Sequence, residues 1–245
     1  MNRLVVIQNI SHEGPGLFAD IAKERRMDIF NVKAYLGEAL PDVDSSDIVL
    51  ILGGPMGLND LKSHKYPWLS LLVEYIKDCT DNQIPFLGVC LGAQLLAYAQ
   101  GGGVEKLVNP KTFSPSPEVG WSYIFGLDIC SKDTSLPRLE KPLRVLHWHG
   151  DRIKLPSCST LIAKSNFCDE QMFAINNRTY GLQFHPEITE DMFVDWISND
   201  RQFILNALGS NGLETLRSQQ KMYCISSMID RIEFISNLFN YIAND

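Results

Sequence analysis

Cys90 sits between Gly88 and Gly92 in the stretch IPFLGVCLGAQLLAYAQGGG, which runs from Ile84 to Gly103. The apolar run before the thiol (Ile84, Phe86, Leu87, Val89) reads as a buried strand, and Leu91 to Ala99 is rich in good helix formers. G-x-C-x-G at such a junction is the thiol counterpart of the G-x-S-x-G nucleophile elbow, where side chains flanking a strained residue would collide. A thiol at the first turn of a helix faces free backbone N–H groups and the positive end of the helix dipole, so a lowered thiol pKa is predicted. The Leu91 amide is then placed to bind an oxyanion. Gln94, one helical turn past Cys90, reaches the same side to contact a substrate. An isolated G-x-C-x-G is equally well a small buried hydrophobe in a tight turn, so partner residues decide.

Those partners are found in Tyr180 to Glu187, YGLQFHPE, where a strand ends at His185, Pro186 blocks its continuation, and Glu187 follows. A cysteine nucleophile needs a base, and the base needs an acceptor on its far nitrogen. His185 and Glu187, at i and i+2 of an extended segment, start on the same side and can make that imidazole–carboxylate bond. A second backbone amide can come from Gly54 in Gly53-Gly54-Pro55-Met56-Gly57, directly after the apolar run DIVLIL of Asp47 to Leu52. In an open α/β sheet that loop and Cys90 both fall beyond the carboxyl ends of strands, where ligands bind.

The remaining reactive residues divide less sharply. His147 and His149 form a His-x-His pair, but no third ligand stands at a suitable spacing, so a structural pair is expected and no metal is assigned. His12 and Glu13, after the first strand, either line the crevice or belong to the turn EGPG. His64 reads as surface. The five cysteines other than Cys90 (79, 130, 158, 168 and 224) read as packing residues.

The elements that must position these groups alternate. Leu4 to Gln8, Asp28 to Tyr35 and Asp47 to Leu52 read as strands, with helices over Leu17 to Arg26 and Pro67 to Cys79. Strands and helices in alternation imply a doubly wound α/β sheet, mostly parallel, with helices on both faces. From Val104 to Phe184 the pieces become short and Pro-punctuated, predicting a β-rich, partly antiparallel second half. A helix is predicted over Thr189 to Ile197. Beyond it Ile225, Met228, Ile229, Ile232, Ile235, Leu238, Phe239 and Ile242 follow helical spacing and should pack back on the sheet.

With a net charge of -7 and no Lys/Arg-rich run, the chain is not expected to bind nucleic acid. Its N-terminal apolar run stops at Gln8, too short for a secretory signal, and no stretch approaches a membrane span. Cysteines without C-x-x-C spacing read as reduced thiols of a cytoplasmic protein.

GGP, then G-x-C-x-G-x-Q, then Q-F-H-P-E, in that order, resemble the motifs of the class I glutamine amidotransferases, and the likeness covers about residues 1 to 200. Stand-alone, GMP-synthetase-like members carry segments similar to Glu13-Gly-Pro-Gly16, Glu118-Val-Gly-Trp121 and His147-Trp-His-Gly-Asp151. The resemblance implies a flavodoxin-like domain over 1–200 with a helical extension over 201–245 packed on it. It implies Cys90 as nucleophile, His185 as base and Glu187 as orienting acid, with Gly54 and Leu91 as the oxyanion hole and Gln94 holding substrate. The implied reaction releases glutamate and ammonia from glutamine without a cofactor. The chain has no G-x-x-x-x-G-K-[ST] loop, and too little sequence follows Phe184 for an ATP-using domain. A separate acceptor subunit is therefore implied. Two alternatives stay open: a γ-glutamyl peptidase, and a non-catalytic regulatory module on the same fold. Homo-oligomerisation is compatible with either.

Overall fold

Runs of branched apolar residues build the centre of the molecule. In the computed structural model, which describes residues 3–127 and 136–243, the chain passes through eleven strands and seven α-helices. The first half contains β1 (Arg3–Gln8), α1 (Leu17–Glu24), β2 (Asp28–Lys33), β3 (Ile48–Ile51), α2 (Trp68–Asp81), β4 (Phe86–Val89) and α3 (Leu91–Ala99). The strands β5 (Gly103–Lys106), β6 (Glu118–Gly126), β7 (Leu143–His149), β8 (Asp151–Lys154), β9 (Thr160–Lys164), β10 (Met172–Asn176) and β11 (Thr179–Leu182) follow. The chain ends in α4 (Glu190–Asn199), α5 (Arg201–Leu208), α6 (Gly212–Tyr223) and α7 (Met228–Ala243).

Every residue of β3 and β4 is buried, the pattern of strands covered by helices above and below. Nine strands form one sheet in the order β2-β1-β3-β4-β11-β10-β9-β6-β7. It is parallel from β2 to β11 and antiparallel from β11 to β7. A separate antiparallel pair, β5 with β8, forms the small extension. The strand β8, with the sequence DRIK, is absent from the sequence reading: only Ile153 of its four residues is fully buried, so it carries little strand signal of its own.

Helices α2 and α3 cover one face of the sheet, and α1 with α7 covers the other. Phe18 of α1 stacks on Phe239 of α7 at 6.1 Å. A third apolar cluster places Trp196, Ile204 and Leu216 of α4 to α6 over Trp121, Leu146 and Trp148. Among the described residues no helix is long and apolar enough to cross a membrane.

Two local features decide how this frame holds together. Gly92 opens α3 so close to β3 that a Cβ there would run into the Ile51 carbonyl, and Gly88 in turn lies against the Gly92 backbone. The C-terminal stripe also differs from the sequence reading. Ile225 and Ile229 are exposed, while Arg231, on the same helix as Ile229, is fully buried. Its guanidinium donates to the carbonyls of Pro186 (2.9 Å), Ile188 (2.6 Å) and Cys224 (2.7 Å), and stands 5.0 Å from the Trp121 ring. Burial lowers its pKa, yet arginine stays charged because its ordinary value is so high. Helix α7 thus reaches across to hold the backbone on both sides of Glu187.

Gly92→Ala should destabilise by about 1–3 kcal/mol through overpacking against β3, at about 2–4 °C of melting temperature for each kcal/mol. Calorimetry checks this, and an unchanged melting point contradicts the close approach. Arg231→Met should lower stability by about 2–4 kcal/mol, because it leaves buried carbonyls without donors. A urea midpoint equal to that of the parent would show that Arg231 holds nothing.

Candidate active site

Cys90 occupies a backbone conformation that L-residues rarely adopt, with φ 51° and ψ -105°. Such strain persists only where neighbours over-determine it. Here the Cys90 N–H donates to the Leu182 carbonyl at 2.7 Å, the Gln94 N–H returns to the Cys90 carbonyl at 3.0 Å, and the close-packed glycines leave no alternative path. The side chain is buried, and the Leu91 N–H at the start of α3 points at its sulfur. Gly54 packs beside Leu91, its Cβ position 3.4 Å from Leu91 Cδ2. Gly54 thus packs against the Leu91 side chain, and it lines the same cavity as Cys90.

After β11 the chain bends at Gln183 and Phe184, where an extended run to His185 is expected from sequence, and the His185 backbone N–H donates to the Leu146 carbonyl at 2.9 Å. His185 Nδ1 lies 2.8 Å from Glu187 Oε1, and both side chains are buried. The carboxylate makes Nδ1 the protonated nitrogen and leaves Nε2 as the basic one. Thiol and imidazole meet across Gly53. A Cβ on that residue would strike Glu13 Oε2 and stand 3.2 Å from His185 Cε1 and 3.4 Å from Cys90 Cβ. The same cavity, about 340 Å³, is lined by Cys90, His185, Gly54, Gln94 and Glu13.

Glu187 lies behind the cavity rather than in it. Its backbone carbonyl accepts the Leu17 N–H at 3.0 Å, and Gly16, at φ 45°, has no room for a side chain because a Cβ would meet that carbonyl. This is the structural use of the EGPG turn. Pro186 and Ile188 are held from the far side by Arg231.

Several supporting residues escape the sequence reading. Trp196 meets the His185 ring edge-on at 4.7 Å and is itself fixed by an Nε1–H bond to the His12 carbonyl at 3.1 Å. Gln183 places Nε2 3.6 Å from the Cys90 sulfur, while its Oε1 accepts from Gln94 Nε2 at 3.3 Å. The signal for Gln183 stands two residues before His185, in the same motif. Gln94 lines the cavity, but its amide is oriented by Gln183.

The electrostatics reverse one expectation. Burial raises the Cys90 thiol well above its ordinary pKa, the carboxyls of Glu13 and Glu187 push it further, and the Leu91 N–H does not offset them. Glu13 is itself raised well above the usual carboxyl range, first by burial, then by Asp200 and Glu187. The free site therefore favours a neutral thiol.

Two further expectations change. His147 and His149 do have a third donor near them: Glu118 lies across the β6–β7 ladder, its Oε2 3.1 Å from His149 Nε2 and 3.8 Å from His147 Nδ1. Burial pushes Glu118 up, but His149, His147 and Ser165 outweigh it and the net shift is downward. Burial lowers His147 to about 4. Among the cysteines, Cys158 is exposed rather than packed, Cys79, Cys168 and Cys224 are buried, and Cys130 lies outside the described residues.

Known proteins resemble this chain in both sequence and fold. The model of the glutamine amidotransferase class-I family matches residues 21–200. The glutamine amidotransferase-like protein YfeJ of Salmonella typhimurium is 27% identical over 217 residues, covering 87% of each chain. One component chain of the glutamine-hydrolysing GMP synthase of Saccharolobus solfataricus is 32% identical over 169 residues, which is 64% of this chain and 80% of that one. The crystal structure of a glutamine amidotransferase from Thermotoga maritima superposes with a TM-score of 0.80 at 25% identity, covering 100% of this chain and 99% of that one. The family match spans β3, the Cys90 turn, β11 and the His185–Glu187 segment, and the fold agrees over the whole length. The chain belongs to the class-I glutamine amidotransferase family.

Proposed function

We propose that this chain is a glutaminase in which Cys90 is the nucleophile, His185 the general base and acid, and Glu187 the residue that orients and stabilises His185. The convergence of Cys90 and His185 on Gly53, with Glu187 2.8 Å behind the imidazole, supports the reading most strongly. Glutamine enters the cavity with its side-chain amide over the sulfur. Cys90 passes its proton to His185 Nε2 and the thiolate attacks the amide carbon. The oxyanion takes hydrogen bonds from the Gly54 and Leu91 N–H groups, each worth about 3 kcal/mol to the barrier. The C–N bond then breaks as His185 returns the proton to nitrogen, and ammonia leaves. Water attacks the glutamyl thioester, giving up a proton to His185, and glutamate departs as the thiol re-forms.

The raised thiol pKa fits this order of events. A neutral thiol is inert toward stray electrophiles, and the proton moves only when a substrate carbonyl sits in the oxyanion hole. Gln94 and Gln183 line up the substrate side of the sulfur.

Ammonia made here passes to a separate synthetase chain. The Saccharolobus relative, named as one of the subunits of a GMP synthase, supports that division of labour. The helices past residue 200 belong to the same domain, since Arg231 braces the segment that carries Glu187. A cytoplasmic setting suits a chain whose described cysteines are all free thiols.

Purified protein should release glutamate and ammonia from glutamine, and Cys90→Ala should reduce kcat by at least about 10⁴-fold with unchanged circular dichroism. Parallel kinetics with γ-glutamyl dipeptides test the substrate, and a kcat/KM for dipeptides above that for glutamine would replace the glutaminase with a peptidase. In the free protein, Cys90 alkylation by iodoacetamide should be slow at neutral pH and accelerate with a midpoint above the ordinary thiol value of about 8.5. Glu13→Gln should move that midpoint down by removing a nearby carboxyl. A rate already at its plateau below pH 8 contradicts the raised thiol.

A further inference from the structure

Glu118, His147 and His149 form a buried donor set that the thiol chemistry does not use. In the β6–β7 register Glu118 lies opposite His149, and Gly120 opposite His147, so all three side chains share one face of the ladder. One donor atom from each lies within 4.8 Å of the others.

Protein groups alone leave this set incompletely hydrogen-bonded. His149 Nδ1 stands 2.9 Å from the Asp151 carbonyl, which can only accept, so Nδ1 carries a hydrogen and Nε2 is the nitrogen that faces Glu118. That nitrogen stands 3.1 Å from Glu118 Oε2. Gln171 Nε2 donates to Glu118 Oε2 at 2.7 Å and reaches His149 Nε2 only at 3.4 Å. His147 is 1% exposed, its Nδ1 is 3.8 Å from the same carboxylate oxygen, and neither of its ring nitrogens has a hydrogen-bond partner among the described residues. Gln171 Oε1 is likewise buried with no donor among them. Unpaired buried polar atoms of this kind cost free energy, and a bound cation gives a His147 ring nitrogen the partner it lacks.

We propose that Glu118, His147 and His149 bind a divalent transition-metal ion of the zinc class. Two imidazole nitrogens and one carboxylate oxygen are a zinc donor set, and donors about 2.1 Å from one ion stand at most about 4.2 Å apart, so the cluster needs only a small contraction to close. The outer contacts agree. His149 donates its Nδ1–H to a backbone carbonyl, as ligating histidines do, and Glu118 is oriented by Ser165 Oγ on Oε1 at 2.6 Å and by Gln171 Nε2 on Oε2, whose second lone pair remains for the ion. His149 also lines the cavity, which provides an entrance and a water for the remaining position. The ion ties β6 to β7 immediately behind the base, because the Leu146 carbonyl next to His147 holds the His185 backbone. This site uses none of Cys90, His185 or Glu187, so it stands whether or not the chain is a glutaminase.

The test removes competing thiols first. The full chain carrying Cys90→Ala and Cys158→Ser, stripped with a chelator, is titrated with Zn²⁺ by calorimetry and with Co²⁺ by visible absorption. The expected result is saturation at a single ion per chain, a tetrahedral cobalt spectrum, and a melting temperature raised by zinc. His147→Gln, and independently His149→Gln, should weaken binding by at least about tenfold and abolish the thermal shift. No saturable binding to the parent would overturn the proposal. So would undiminished binding in both histidine variants, or loss of binding on replacing the thiols alone.

Discussion

The parallel pairing of β4 with β11 is the interaction on which the cavity depends. Val89 is in register with Leu182, and the Cys90 N–H adds a further rung to the Leu182 carbonyl at 2.7 Å. Adjacent strands lie about 4.8 Å apart, so whatever leaves one strand end stands beside whatever leaves the other. β4 turns at once into α3 and presents a thiol, while β11 runs on to an imidazole and a proline. Both emerge at the carboxyl edge of the parallel half of the sheet, where open α/β sheets hold ligands. Gly53, at the end of neighbouring β3, is the residue small enough to sit between them.

Burial at that edge has two opposing consequences. It packs Cys90, His185 and Glu187 closely, as the proposed catalysis requires. It also strips solvent from the sulfur and from Glu13, which disfavours their charged forms. The helix dipole at α3 is real, but it is a surface-scale effect set against the desolvation of a buried group. A site of this kind keeps its proton on sulfur, and under the proposed mechanism bound substrate draws the thiolate out. The same close packing makes remote elements matter: Trp196 from α4 and Arg231 from α7 brace the histidine and the segment beyond it.

What is legible in the sequence is local. α3 spans Leu91 to Ala99 as expected, because its start is encoded by adjacent glycines and its body by strong helix formers. Cys90, His185 and Glu187 stand out because few residue types do this chemistry and the glycines and proline beside them mark their turns. What is hidden depends on tertiary pairing. Glu118 joins the histidines only through the β6–β7 register, and no spacing in the chain announces it. Arg231 sits in a stripe of isoleucines, where an arginine reads as the solvent face. In the folded chain Ile229 is 77% exposed and Arg231 is 0% exposed, because backbone carbonyls of the segment around Glu187 await its donors. The thiol pKa departs from expectation for the same reason: a helix end is visible in sequence, and the depth at which it is buried is not.

The proposed chemistry requires Cys90 to be the reactive thiol of a cavity shaped for a glutamine side chain. A glutamine-mimicking diazo-ketone, followed by intact-mass and peptide mass spectrometry, reads this directly. The predicted result is a single adduct per chain, on Cys90, suppressed by excess glutamine and unaffected by Cys158→Ser. An adduct confined to the exposed Cys158, or none under conditions that leave the chain folded, would contradict it.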